Sequence, residues 1–417
     1  MKEIISTTLI SYTMDSISYI FHFVTYNTFF SELSLNFTTM NLHSKLPNVG
    51  TTIFTVMSKM AAEHNAINLS QGFPNFPIDP VLEEIVRQKT KENVHQYAPM
   101  AGLPILLVQI GKIVKERYNR EVNVTTEALI TAGATQAIFT TIQALVHPGE
   151  EVIILDPSYD CYESPVILAG AKSIRIPLKY DFLPDWDRIR SYTNQKTKLL
   201  IINNPHNPSG KLWNIEDILE LERLALDFPN LLILSDEVYE FIHFEKAHFS
   251  LNSSAILRDR SVIVSSFGKT FHITGWKIGY IIAPSFLMNE LKKVHQFLVF
   301  CVNSIAQASL AEYMNLVDVS KLGVFYQQKR NEFRALMTNS RFELLPCEGT
   351  YFQIARYDKI SEENDVDFSK RLVLEHGVAT IPLSVFNADG ADHKILRFCF
   401  AKDQITIEEA TERLCKI

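Results

Sequence analysis

No Cys-x-x-Cys pair occurs in this sequence, and its five cysteines (Cys161, Cys301, Cys347, Cys399 and Cys415) are widely separated and odd in number. Such spacing offers neither a disulfide framework nor paired zinc ligands, and it points to a reducing compartment, the cytoplasm. A dense lysine and arginine stripe is also missing, and the net charge of -7 leaves little with which to displace counterions from a nucleic acid. No Gly-x-Gly-x-x-Gly follows an early strand, which disfavours a dinucleotide-dependent dehydrogenase. Repeats and low-complexity linkers are absent, so any domains are expected to share an interface. The uncharged run Ser16 to Ser31, SISYIFHFVTYNTFFS, is shorter than a membrane-crossing helix requires. Only Lys2 precedes Glu3, a poor amino end for a signal peptide.

What is present is the composition of a globular enzyme, 47% hydrophobic over 417 residues, long enough for two domains. Residues 1–39 stand apart as an atypical extension; Met40 opens a more conventional sequence, which makes start-site choice an alternative explanation for them. From Glu127 to Pro284, short apolar β-branched runs alternate with amphipathic stretches, the pattern of crossover units around a mostly parallel sheet. Glu151–Leu155, Ser173–Pro177, Lys198–Ile202, Leu231–Leu234, Val262–Val264 and Ile278–Ile282 read as strands covered on both faces. Thr135–Leu145 and Ile215–Ala225 read as helices, the second with Asn214 as its cap. A helical region follows Leu287, and the tail offers strands at Thr350–Ala355 and Leu396–Phe400 with helices between and after them. The division expected is an arm and part of a small domain over 40–80, a large domain over 81–320, and the rest of a smaller α/β domain over 321–417.

Polar groups just past the strand ends are the candidates for chemistry, because a parallel sheet gathers ligands there. Lys269 lies in SSFGKTFHITGWKIGY among small, hydroxylated and aromatic residues, a setting in which an amine can condense with an aldehyde. Asp236 opens DEVYE after LLILS; it can hold a proton on a heterocyclic nitrogen, or serve as an N-cap or ion-pair partner. Asn207 sits in the rigid turn NNPHNPSG, where Pro205 or Pro208 can take a cis bond; it can face a ligand hydroxyl or merely shape the loop. Tyr239 can reach the same ring edge as Asp236, or simply pack. Ala134 and Thr135 open a helix whose N–H groups suit a phosphate, with Ser266 and Lys277 as hydroxyl and cation for the same group. Lys277 can equally be a solvated charge. Tyr159 can stack on a planar ring or belong to the core. Arg397, inside the strand-like KILRFCF, needs a partner if buried: a substrate carboxylate, or an internal Asp or Glu.

Jointly, the order of SKLPNVGTTIF, INLSQGFPNFP, HQYAPMAG, NNPHNPSG, SDEVYE, SSFGKTFHITGWKIGY and PCEGTYF resembles the class I/II aminotransferases of fold type I, from about Lys45 to the C-terminus. Within that family the nearest likeness is to the methionine, kynurenine and glutamine transaminases. The resemblance implies an α/β fold with a large, mostly parallel sheet between helices plus a smaller α/β domain, and pyridoxal 5′-phosphate as cofactor. It implies that Lys269 bonds the cofactor aldehyde, Asp236 partners the pyridine nitrogen, Asn207 and Tyr239 bind the ring hydroxyl, and Tyr159 stacks. Ser266, Lys277, Ala134 and Thr135 would form the phosphate cup; Tyr97 would reach the phosphate of a neighbouring subunit in a homodimer with shared sites. Arg397 would clamp the α-carboxylate, with the Gly72 segment closing over it and Asn207 beside it. Lysine at 277, where many relatives carry arginine, matches the kynurenine and methionine group. The expected reaction moves the amino group of methionine, or of an aromatic or related amino acid, to a 2-oxo acid, with no metal, nucleic acid or membrane partner. A β-lyase acting on cysteine conjugates uses nearly the same equipment, and a non-catalytic regulator is the remote alternative.

Overall fold

Seven strands carry the main sheet: β1 (Ala128–Thr131), β2 (Glu151–Asp156), β3 (Lys172–Pro177), β4 (Thr197–Asn203), β5 (Leu232–Asp236), β6 (Ser261–Ser266) and β7 (Gly279–Ile282). Their spatial order is β1-β7-β6-β5-β4-β2-β3. The coordinates are a computed structural model that describes residues 42–417, and the atypical segment 1–39 lies outside them. Residues Asn48–Ile417 form one compact unit.

Strands β3, β2, β4, β5 and β6 run parallel, as the alternation of apolar runs and helices requires. β5, β6 and β7 are buried along their whole length, so both faces are covered by helices. Helix Ile215–Asp227 begins with the expected cap: Asn214 accepts from the Asp217 N–H, and Asp217 accepts from the Asn214 N–H in return. β7 departs from the parallel pattern, pairing antiparallel with both β6 and β1. The reason is chain length: residues 267–278 include only one four-residue helix and one 3-10 turn, too little for a crossover back to the far end of the sheet.

The predicted long helical stretch after Leu287 is two helices, Ser285–Leu298 and Ser304–Tyr313, separated at Phe300, whose φ of 68° breaks the first. A second, antiparallel sheet uses Ile381–Pro382, Ile395–Cys399, Phe352–Arg356 and Glu343–Leu344, in that order. Helix Ile53–Glu63 joins this C-terminal part through Met57 and Ala61, which pack with Ile354, Val373, Ile381 and Ile395. Chain ends far apart in sequence thus share one core. Among the described residues no helix is long and apolar enough to cross a membrane.

Candidate active site

Strand register assembles the site. Gly279 is paired with Thr131 on one side and with Ser266 on the other, so the ends of β1, β6 and β7 meet at the same edge. The chain approaches itself closely there: a Cβ on Gly279 would stand 2.6 Å from the Ser265 carbonyl and 3.3 Å from the Ala134 nitrogen. Gly133, at φ +78°, opens the helix Gly133–Leu145, which has no side-chain cap. The amides of its first turn are therefore left for a ligand. Lys277, in the left-handed region at φ 52°, sets its ammonium against Gly133, about where a Cβ would be 3.5 Å away.

A cavity of about 410 Å³ opens at this edge. Gly72, Ala134, Thr135, Tyr159, Asn207, Asp236, Tyr239, Ser266, Lys269, Lys277 and Arg397 all line it, so eleven of the twelve positions singled out in the sequence converge. Tyr97 does not: it is 83% exposed, with its ring edge-on to Phe300 at 5.3 Å.

Lys269 Nζ donates to the Gly72 carbonyl at 3.2 Å and lies 5.8 Å from the ring centres of both Tyr239 and Tyr351. Burial brings its pKa down to about 8; the fields of Arg397 and Lys277 push the same way, while Cys399 and Asp236 oppose them. Among the described residues Asp236 is neither an N-cap nor an ion-pair partner. It ends β5 fully enclosed, accepting from the Tyr162 hydroxyl at 2.7 Å and from the Val238 N–H at 3.3 Å. Burial raises its pKa to about 6 against those two hydrogen bonds and the field of Lys269. A carboxylate so placed favours a cationic N–H opposite it, since the partner returns the stability that desolvation removed.

Asn207 is positioned by its neighbour: its N–H donates to Asn203 Oδ1 at 2.7 Å, and the Asn203 amide donates to the Asp236 carbonyl at 2.9 Å. The peptide bonds before Pro205 and Pro208 are both cis, as is the one before Pro157. Arg397 is 1% exposed, yet among the described residues no Asp or Glu pairs with it. Its Nη1 donates to Asn207 Oδ1 at 2.8 Å and its Nη2 to the Ser70 carbonyl at 3.0 Å, the guanidinium lies 3.9 Å over the Phe352 ring, and Nε has no partner. A buried cation with an orphaned donor is a receptor for an anion. Gly72 fits under the same ring: a Cβ there would come within 2.7 Å of Phe352.

Sequence reasoning passed over Tyr162, Asn203, Ser70, Tyr351 and Phe352. Tyr162 lies three residues after Tyr159 inside DPSYDCY, Asn203 opens the quoted NNPHNPSG, and Tyr351 and Phe352 end the quoted PCEGTYF, so motif context held a signal for four of them. Ser70 acts through its carbonyl, which no side-chain pattern reveals.

The donor set fits a phosphorylated pyridine aldehyde: an amine of lowered pKa, a buried carboxylate for a ring nitrogen, an aromatic wall, and an uncapped helix start with a lysine for the phosphate. Comparison with known proteins agrees. The family described as Aminotransferase class I and II matches residues 64–414. The methionine aminotransferase of Escherichia coli K12 is 44% identical over 375 residues, covering 89% of this chain and 97% of that protein. The kynurenine–oxoglutarate transaminase of Dictyostelium discoideum is 31% identical, over 88% and 94% of the two chains. Among solved structures, YbdL of Escherichia coli, for which a methionine aminotransferase function is described, superposes with a TM-score of 0.88 at 43% identity, covering 90% of this chain and 99% of that one. The chain belongs to the class I and II aminotransferases, enzymes of fold type I that work with pyridoxal 5′-phosphate.

Proposed function

We propose that this enzyme takes methionine, and aromatic amino acids of similar bulk, as amino donors and passes the amino group to a 2-oxo acid by alternating half-reactions. The observation that carries the reading is Arg397, a buried guanidinium with no carboxylate partner among the described residues, lining the same cavity as a lysine of lowered pKa. The 44% identity to a methionine aminotransferase supports the choice of donor. Pyridoxal 5′-phosphate, when bound, supplies an aldehyde that condenses with amines and a ring that draws electrons from the substrate Cα.

The chain's own residues divide the remaining work. Lys269 would provide the amine that holds the aldehyde, and with substrate bound its freed Nζ would be the base that moves the Cα proton. A pKa of about 8 leaves an appreciable neutral fraction near neutrality. Asp236 keeps a proton on the ring nitrogen, fixed by Tyr162 and the Val238 amide. Asn207 and Tyr239 would take the ring hydroxyl, Tyr159 would stack on the ring, and Ser266, Lys277 and the amides of Ala134 and Thr135 would hold the phosphate. Arg397 grips the α-carboxylate beneath the Gly72 segment, with Asn207 bridging cofactor and substrate sides through its bond to Nη1. The exposure of Tyr97 supports a role in the site of a second copy, hence a homodimer. Five unpaired cysteines support a cytoplasmic location.

The test incubates the cofactor-loaded enzyme with methionine, phenylalanine, kynurenine, glutamine and a cysteine conjugate, with and without a 2-oxo acid, and assays both oxo-acid product and free ammonia. Methionine-derived oxo acid that forms only with an acceptor is the expected result. Ammonia and pyruvate released from the conjugate at a higher rate than any transamination would replace this reading with β-elimination.

A further inference from the structure

One charged group in the cavity wall has no task in the reaction just described. Asp160 follows the stacking Tyr159 at the carboxyl end of β2, lines the cavity and is exposed. No lysine, arginine or histidine pairs with it among the described residues. The backbone amides of Asp160 and Cys161 point at its carboxylate, and Arg397 lies near enough for its field to act on it. The cavity's cations are Lys269, Lys277 and Arg397. Assigning the first to the aldehyde, the second to the phosphate and the third to the α-carboxylate leaves none of these three for a second substrate carboxylate. On the anionic side, Asp236 is matched to the ring nitrogen and Asp160 is matched to nothing.

We propose that Asp160 is a specificity-determining residue that repels a carboxylate on the substrate side chain, so that both the donor and the 2-oxo acid acceptor are monocarboxylic. This rests on the reading of Arg397 as the α-carboxylate grip. Because donor and acceptor occupy the same cavity in alternating half-reactions, one unpaired carboxylate filters both. Like charges brought together in a partly desolvated pocket discriminate strongly, whereas the apolar wall formed by Phe54, Phe73 and Phe352 separates neutral side chains only weakly.

The test compares native enzyme, Asp160→Asn and the charge-keeping Asp160→Glu, each loaded with cofactor. The first readout is the ratio of kcat/KM for the 2-oxo acid of methionine over that for 2-oxoglutarate. The second is calorimetric binding of two unreactive acids of matched length, 4-(methylthio)butanoate and glutarate. The native enzyme is expected to favour the monocarboxylate in both. Asp160→Asn is expected to lower each ratio by about tenfold or more, and Asp160→Glu to hold it within about threefold. Ratios unchanged in Asp160→Asn, or native enzyme that binds glutarate as well as the monocarboxylate, overturn the proposal. If neither acid binds the native enzyme, the Arg397 reading fails first and the proposal falls with it. Poor turnover of methionine beside good turnover of another neutral amino acid corrects the donor and leaves the filter standing.

Discussion

The Tyr162 hydroxyl donates to Asp236 Oδ2 at 2.7 Å while the Val238 N–H reaches the other oxygen, so each oxygen of a buried carboxylate is held by one donor from its surroundings. Tyr162 is itself buried and edge-on to Tyr159, which ties the plane of the carboxylate to the wall on which the cofactor ring is expected to lie.

Removing that hydroxyl is a clean probe. Tyr162→Phe keeps the ring and deletes one hydrogen bond to a charged group, worth about 1.5–3 kcal/mol. It is expected to raise the Asp236 pKa further and to weaken cofactor retention by about tenfold or more, measured as the dissociation constant of pyridoxal 5′-phosphate. Retention equal to the native enzyme would show that Val238 alone orients the carboxylate.

Lys269→Ala should abolish transamination and the absorbance of the protein-bound aldehyde adduct, with the far-ultraviolet circular dichroism unchanged. The native side chain contributes only one hydrogen bond, to Gly72, so the fold has little to lose. Near-normal turnover in this variant would remove Lys269 from the mechanism.

Arg397→Ala should act mainly on binding. Loss of a desolvated, paired guanidinium costs about 2–5 kcal/mol, and the expected signature is a large rise in KM for amino acids but little change for their amides. Equal kinetics for carboxylate and amide substrates in the native enzyme would show that nothing grips the α-carboxylate, and an unchanged KM in Arg397→Ala would place the clamp elsewhere.

Asp236 also predicts a pH dependence of stability for the cofactor-free protein. Its folded pKa of about 6 lies above its ordinary value of 3.8, so between these the folded state binds more protons than the unfolded one and stability falls as pH rises. Relative to Asp236→Asn, native protein should lose about 1–3 kcal/mol between pH 4 and pH 6 in chemical unfolding. Cofactor should shrink this loss, because the ring N–H stabilises the charged form. A flat difference across that range would show that water solvates the carboxylate in the free site.

Much of this was legible in the sequence, for physical reasons. Strands covered on both faces must be apolar throughout, which made β2, β4, β5 and β6 visible as runs such as EVIIL and KLLII, with candidate ligand groups just past them. β3 was expected to be covered in the same way, but it is the edge strand, KSIRIP, with Ile176 alone fully buried. The reversal of β7 was not legible, because an apolar run carries no direction; only the brevity of the 267–278 link implied it. Asp236 and Arg397 left open alternatives that burial and hydrogen bonding closed, since partners from distant segments such as Tyr162 and Asn207 exist only after folding. Asp160 was passed over because an aspartate in a turn is ordinary until the cations around it are counted.

The antiparallel return of β7 has a consequence for how this site can vary. Lys269 and Lys277 lie on one short link anchored at both ends in adjacent strands of a single sheet. Inserting one residue in that link and letting β7 slide to absorb it would turn every β7 side chain to the opposite face and carry Gly279 away from Ala134. Both lysines would lose their places together. A change of length between residues 267 and 278 thus puts both lysines at stake, whereas an exchange of side chains there alters one position at a time.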